Sequence, residues 1–346
     1  MRSQPLGLVD VCSGPGGDLM IEASGLCKTY RSGHGRKSKT VEAVRGVDFA
    51  VRTGEIFGFL GPNGAGKTTT LRMLATLIRP DGGRARIAGA DLLRAPARVR
   101  NHIGFVAQTS GTYGEATGRR ELVLQARMHG ATKSDAQNLA GEAIAAFDLA
   151  DFVDRRIQTY SGGQRRRLDV ALGVIHGPTV MFLDEPTAGL DPPSRARMWR
   201  EVRRLRDDEG MTIFLTTHYL DEADALCDRI SIIDRGLIVA EGTPSDLKRD
   251  ISGDVVIVDM AAPGTAGVPD DMILREAAEL LSGQPYVRDV EPVDTTLRLY
   301  VDSAATAIPL VIRALIGVGI EPGAIESRRP SLDDVFLAKT GRALRD

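Results

Sequence analysis

A chain of 346 residues, 42% hydrophobic and 26% charged, is long enough for about two soluble globular domains. Its net charge of −2 excludes a nucleic-acid protein that works by bulk positive charge. Three cysteines without ligand spacing (Cys12, Cys27 and Cys227) exclude a disulfide framework and fit a reducing cytoplasm, and five scattered histidines outline no metal site.

The first segment, "MRSQPLGLVDVCSGPGGD", has Arg2 but no sustained apolar core, so residues 1–19 read as a flexible leader and not as a signal peptide. No stretch carries the roughly 20 apolar residues that span a bilayer, so any service to a membrane comes from its surface or through a partner. "LMIEASGLCKTY" reads as a strand and turn. The small and basic residues of "RSGHGRKSKT" suit a solvated hairpin loop or, alternatively, a lipid-headgroup contact.

"GEIFGFLGPNGAGKTTTLRMLATLIRP" predicts a short apolar strand, a glycine-rich turn and a helix stopped near Pro80. Within it, Gly61, Pro62, Asn63, Gly64, Ala65, Gly66, Lys67 and Thr68 fit G-x-x-x-x-G-K-[ST] between a strand and a helix, with Thr69 next. Backbone N–H groups of such a turn cradle phosphate oxygens, and the helix adds its positive dipole end. Lys67 is then placed to reach the β- and γ-phosphates of a nucleotide, and the Thr68 hydroxyl to ligate Mg²⁺.

Gln108, in "GFVAQTSG", follows a strand-like run and is unremarkable alone. "YSGGQRRRLD" puts Ser161, Gly162, Gly163 and Gln164 at the start of a helix, an anion-binding position. Arg165, Arg166 and Arg167 oppose the dipole there, and either a nearby anion or plain solvation accounts for them. "TVMFLDEP" and "MTIFLTTH" are apolar runs ending in polar residues, as expected of parallel strands buried on both faces. Asp184 at the first strand end suits Mg²⁺, and Glu185 beside it is the candidate base for an attacking water. His218 ends the second, either as a structural histidine or as a donor to the γ-phosphate.

Beyond "EGTPSDLKRD" the pattern becomes β-α-β-β-α-β: "DVVIVDM", "MILREAAELL", "YVRDVEP", "TLRLYV", "TAIPLVIRALIGVG" and "AIESRR". That order is the ferredoxin-like arrangement, and "SLDDVFLAK" follows as a helix capped by Ser331.

Taken together these motifs resemble the ATP-binding cassette (ABC) family. The resemblance runs from about Met20 to Asp246, and the motifs come in the family's order. Tyr30 matches the aromatic that stacks on adenine, and Gly61 to Thr68 the Walker A loop. Gln108 matches the glutamine loop that senses Mg²⁺ and the membrane partner. Ser161 to Gln164 match the signature, Asp184 and Glu185 Walker B and its glutamate, Asp191 the D-loop, and His218 the switch histidine. The resemblance implies a P-loop α/β cassette with a helical subdomain, binding ATP and Mg²⁺ with Thr68, Gln108 and Asp184 at the metal. It also implies that two copies close face to face, Ser161 and the glycines of one capping the ATP of the other. Tyr160 departs from the leucine common before the signature serine, which points to altered packing at the closing interface.

A single cassette followed by a small α/β domain ending in "RPSLDDVFLAKTG" looks like the daunorubicin-resistance type of exporter ATPase. This implies a leader over 1–19, a cassette over 20–246 and an accessory domain over 247–346. It also implies efflux of a hydrophobic drug, polyketide or lipid through a separate integral membrane permease, from the cytoplasmic face of the membrane. The alternative is a cassette ATPase acting on DNA or ribosomes. Against it, the interval between Walker A and the signature is short and shows no sustained heptads, and the chain has one cassette. No nucleic-acid partner is expected.

Overall fold

The computed structural model describes residues 19–32, 39–109, 111–250, 254–260, 271–328 and 330–341. The leader except its last residue, with Cys12, and the centre of the basic loop at 33–38 lie outside the described residues. The described residues fall in two compact units, the first closing at Pro244 and the second opening at Ser245.

In the first unit, β1 (Leu19–Ser32) and β2 (Lys39–Arg52) are long antiparallel partners. The segment expected to be a strand and turn is thus one strand. Gly25, at φ +59°, opens a bulge between Ala23 and Leu26, and pairing resumes beyond it. β3 (Ile56–Leu60) leads through the glycine-rich turn into α1 (Lys67–Leu74). That helix ends well before Pro80. Thr76 takes φ 60° while its N–H bonds the Met73 carbonyl and Leu77 N–H bonds the Arg72 carbonyl, so a left-handed residue closes the helix.

β4 (Gly82–Ile87) and β5 (Ala90–Asp91) complete a sheet of order β2-β1-β4-β5. α2 (Pro96–His102) precedes β6 (Ile103–Val106). A helical segment follows: α3 (Gly118–Met128), α4 (Lys133–Ala146) and α5 (Gly162–Val174). The chain then alternates through β7 (Val180–Asp184), α6 (Pro192–Asp207), β8 (Thr212–Thr217), α7 (Leu220–Leu226), β9 (Arg229–Asp234) and β10 (Leu237–Gly242).

These strands build a second sheet of order β10-β9-β3-β8-β7-β6, parallel throughout except for the β9–β10 pair. Every residue of β3, β7 and β8 is buried, the reason their sequences read as unbroken apolar runs. Phe49 of β2 meets Phe57, Phe59 and Phe214 of the parallel sheet at 5.4–6.0 Å between ring centroids, joining the two sheets in one core. Helix α5 lies close on β6, because a Cβ at Gly104 would fall 2.3 Å from the Gly173 carbonyl oxygen. Register aligns Leu60 with Thr217 and Asp184 with Thr216, so β3, β7 and β8 end at one edge.

α8 (Pro244–Asp250) leads into the second unit. There β11 (Asp254–Asp259), α9 (Asp271–Ser282), β12 (Val287–Val293), β13 (Thr296–Val301), α10 (Ala304–Gly317) and β14 (Ile325–Arg328) follow in the order read from the sequence. They give an antiparallel sheet of order β12-β13-β11-β14. Leu297, Leu299 and Val301 bury against Ala277 and Leu281 of α9 and Val311 and Leu315 of α10. α11 (Leu332–Thr340) opens on the Ser331 capping box. Its partner in the box, Asp334, is fully buried and accepts from Arg328 and from the Tyr300 hydroxyl. No helix among the described residues is long and apolar enough to cross a membrane.

Candidate functional site

The site forms where β3, β7 and β8 end. Gly66 closes the glycine-rich turn at φ +109°, and a Cβ there would meet the Ala43 carbonyl oxygen at 2.4 Å, so only glycine fits. Helix α1 therefore starts at Lys67, with its first-turn N–H groups facing the turn. Lys67 is buried and donates to the carbonyls of Gly61 at 2.7 Å and Pro62 at 3.1 Å. Burial lowers its ammonium pKa below the ordinary lysine value, and Glu185 and Asp184 pull it back.

Glu185 is the centre of the cluster. Its Oε1 lies 3.4 Å from Lys67 Nζ and 3.2 Å from His218 Nδ1, and its Oε2 accepts from Gln108 Nε2 at 2.9 Å. The carboxylate reaches all three because Glu185 leaves the pleat at φ 47°, a left-handed conformation that costs a non-glycine residue about 1–3 kcal/mol. Its N–H bonds both the carbonyl and the hydroxyl of Thr216 at 3.1 Å, which helps fix the turn.

Asp184 takes the other side. Its Oδ1 accepts from the hydroxyls of Thr68 at 2.9 Å and Thr216 at 2.8 Å, while the buried Oδ2 has no hydrogen-bond partner. An orphaned carboxylate oxygen beside a hydroxyl is the donor set a hard divalent cation accepts. Among the described residues no three His, Cys, Asp or Glu side chains converge as a metal cluster, so the remaining ligands of such a cation would be neutral side-chain oxygens, waters or phosphate oxygens.

The other expected residues stand apart from this cluster. Asn63 and Gly64 are exposed at the tip of the turn, and Ala65 is buried under it. Thr69 is half-buried in the first turn of α1, beside Thr68. Tyr30 is exposed on β1, opposite Val41, with Lys28 Nζ 5.9 Å from its ring. Thr40 and Glu42, which flank Val41, line a cavity of about 490 Å³ with Arg45, Gly64 and Arg235. Ser161 and Gly162 are exposed at the start of α5. There Ser161 Oγ accepts from Gln164 N–H at 3.2 Å and Gln164 Oε1 from Ser161 N–H at 3.0 Å. Asp191 caps α6 through Ser194 N–H at 3.2 Å, and its hydrogen bonds with Ser194 lower its pKa.

Two further residues are placed by the structure. Tyr160 packs inside the helical segment. Its ring meets Phe152 edge-on at 4.9 Å and its hydroxyl accepts from Gly118 N–H at 3.3 Å, where a Cβ would lie 2.8 Å from that oxygen. Of the three arginines, Arg166 is not solvated: it is 7% exposed and donates to the carbonyls of Pro186, Asp184 and Ala107. The signal was available. Arg166, Val170 and Gly173 share one helix face, and the latter two are plainly inward-facing types. Thr216 was also missed, as an ordinary strand threonine.

Comparison with known proteins follows the same division. Residues 44–188 match the family described as ABC transporter, and residues 242–340 match the family described as the C-terminal domain of DrrA1-3-like ATP-binding proteins. The daunorubicin/doxorubicin resistance ATP-binding protein DrrA of Streptomyces peucetius is 42% identical over 329 residues, 94% of this chain and 94% of its own. The linearmycin resistance ATP-binding protein LnrL of Bacillus subtilis is 33% identical over 331 residues, 94% of this chain and 100% of its own. Among solved structures, a dimeric ATP-binding cassette in a post-hydrolysis state with ADP and Pi superposes with a TM-score of 0.59 at 23% identity. The match covers 65% of this chain and 98% of that one.

Proposed function

Since the chain belongs to the ABC transporter family, as an ATP-binding protein of the DrrA type, we propose that it is the motor of an exporter. It is an ATP-hydrolysing cassette. In this reading it works at the cytoplasmic face of the membrane and drives efflux of a hydrophobic drug, polyketide or lipid through a separate permease. Support for the cargo class comes from the resistance named for DrrA and LnrL. The DNA- or ribosome-directed alternative gains no support from either relative.

The observation that carries the chemistry is the convergence of Lys67, Gln108 and His218 on the Glu185 carboxylate. Lys67 and the N–H groups of the turn hold the phosphates, with Tyr30 under the adenine. Thr68, Asp184 and Gln108 would hold Mg²⁺, which would supply positive charge to offset that of the phosphates. Glu185 takes the proton from the attacking water, with Gln108 fixing Oε2 by its hydrogen bond and His218 beside Oε1. Ser161, Gly162, Gly163 and Gln164 cap the γ-phosphate of a second copy, with Asp191 at the same face. Their exposure supports this, as does the capping box, which uses Gln164 N–H and leaves those of Gly162 and Gly163 for an outside anion. The division into 1–19, 20–246 and 247–346 is supported by the break after Pro244, and the ferredoxin-like reading of the last part by its strand order.

The test is transport. Cells carrying this chain with a permease that co-purifies with it should accumulate less of at least one hydrophobic drug, daunorubicin first among those tried, than cells carrying the same permease with Lys67→Ala. Equal accumulation of every drug tried, or failure of the chain to co-purify with a polytopic membrane protein, would refute the exporter reading.

A further inference from the structure

We propose that Arg166 is a positioning residue for ATP hydrolysis, holding Glu185 and Gln108 in register with each other and with the helix that begins at Ser161. The proposal rests on Glu185 acting as the base.

A guanidinium has five N–H donors in a fixed plane. Arg166 Nε donates to the Pro186 carbonyl at 2.8 Å and Nη2 to the Asp184 carbonyl at 3.0 Å. Those two carbonyls bracket Glu185. Nη1 donates to the Ala107 carbonyl at 2.5 Å, and Ala107 precedes Gln108. Gln108 Nε2 in turn bonds Glu185 Oε2 at 2.9 Å. The hydrogen bonds and the intervening chain form a closed circuit: Arg166 to Ala107, along the backbone to Gln108, across to Glu185, and back through Asp184 and Pro186.

Three features argue that this circuit sets the geometry of the base. Glu185 sits in a left-handed conformation, which persists only where its surroundings define it. Thr216 binds its N–H, and Arg166 binds the carbonyls on either side. Second, the guanidinium spends these donors on backbone carbonyls, where a point cation at the same place has no fork to reach three acceptors. Third, Arg166 stands one turn into α5, and α5 is pinned to β6 by the close approach of Gly104 and Gly173. The strand that ends beside Ala107 and the helix that carries Arg166 thus form one body. A shift of the Ser161 end of α5 is felt at Glu185 through a single side chain.

The experiment measures phosphate release by the full-length chain with Mg²⁺-ATP for Arg166→Lys and Arg166→Gln, each alone and combined with Glu185→Gln. Misplacing a base by about 1 Å costs up to about 10²-fold, so Arg166→Lys should lower kcat about 10-fold and Arg166→Gln about 100-fold, with KM for ATP within about twofold of wild type. In the Glu185→Gln background, Arg166→Lys should change the residual turnover less than about twofold, because no base remains to be misplaced. An equal loss in both backgrounds, or a rise in KM matching the fall in kcat, would mean that Arg166 only packs the helix, and the proposal is overturned. If Glu185→Gln alone retains wild-type turnover, the reading of Glu185 falls and takes the proposal with it. Should Arg166→Gln fail to fold, Arg166→Lys, which keeps the charge and most of the volume, carries the test.

Discussion

His176 should make the first unit lose stability in mild acid. Burial, with His129 beside it, lowers the His176 imidazole pKa from 6.5 to about 4. The two rings stack at 3.8 Å between centroids, and burial lowers His129 as well. His176 Nε2 lies 3.1 Å from the Ile103 carbonyl oxygen, and Arg100, Glu121 and Asp169 line the same groove. An unfolded chain takes up this proton near 6.5, so the stabilisation is complete above that pH and is lost as the pH falls through about 4. At pH 5 the unscreened difference is about 2 kcal/mol, and because the ring is partly exposed we expect about 1 kcal/mol. Trp199 is the chain's one tryptophan and lies in the first unit, so urea unfolding followed by its fluorescence reads that unit alone. His176→Gln keeps a donor for Ile103 but does not titrate, and it should flatten the change between pH 7.5 and pH 5 by that amount. An unchanged slope in His176→Gln would refute the assignment.

Glu185→Gln should cut phosphate release about 10²–10⁴-fold while ATP still binds, since the amide fits between Gln108 and Lys67 but accepts no proton; turnover near wild type would remove the base. Tyr30→Ala should weaken ATP binding by about 1–3 kcal/mol, the worth of stacking on a base, and an unchanged titration would leave the exposed ring without that role. Cysteines at Asn63 and Ser161 in a Glu185→Gln chain should form a cross-linked dimer on oxidation with Mg²⁺-ATP and little without it, given the roughly 7 Å limit on Cα separation. For this test Cys12 and Cys27 are replaced and Cys227 is kept, because Cys227 is buried and its thiol pKa is raised well above the ordinary value. A cross-link within one chain would refute capping between copies.

Legibility in the sequence followed how local the deciding forces were. β7 and β8 could be read outright because each is buried on both faces and carries no alternation to misread. The turn at Gly61–Thr68 was equally plain, since its glycines and Lys67 serve one local geometry. β1 was read as a strand and turn because a glycine such as Gly25 signals a turn and a bulge alike, and only the partner strand decides between them. α1 was overrun because its stop uses Thr76 in place of the glycine that usually marks a left-handed end. For Arg166 the sequence does not choose between a nearby anion and plain solvation, because the carbonyls it meets lie on segments 18 to 59 residues away, although its helix face already points inward.

The Asp184–Glu185 pair shows what a sequence fixes even when it cannot display it. Consecutive residues of a strand point to opposite faces, so two adjacent carboxylates cannot serve one site while the strand continues. If both serve, the chain must break the pleat at the second, and that break must be held from outside. The structure meets both conditions. Glu185 turns at φ 47° while Asp184 stays in register with Thr216. Thr216 and Arg166 then bond the backbone around the turn. The residues that hold the turn are thus demanded by the motif before they can be named. Finding them in another cassette means looking for polar side chains on buried faces near this strand end, not for a longer motif.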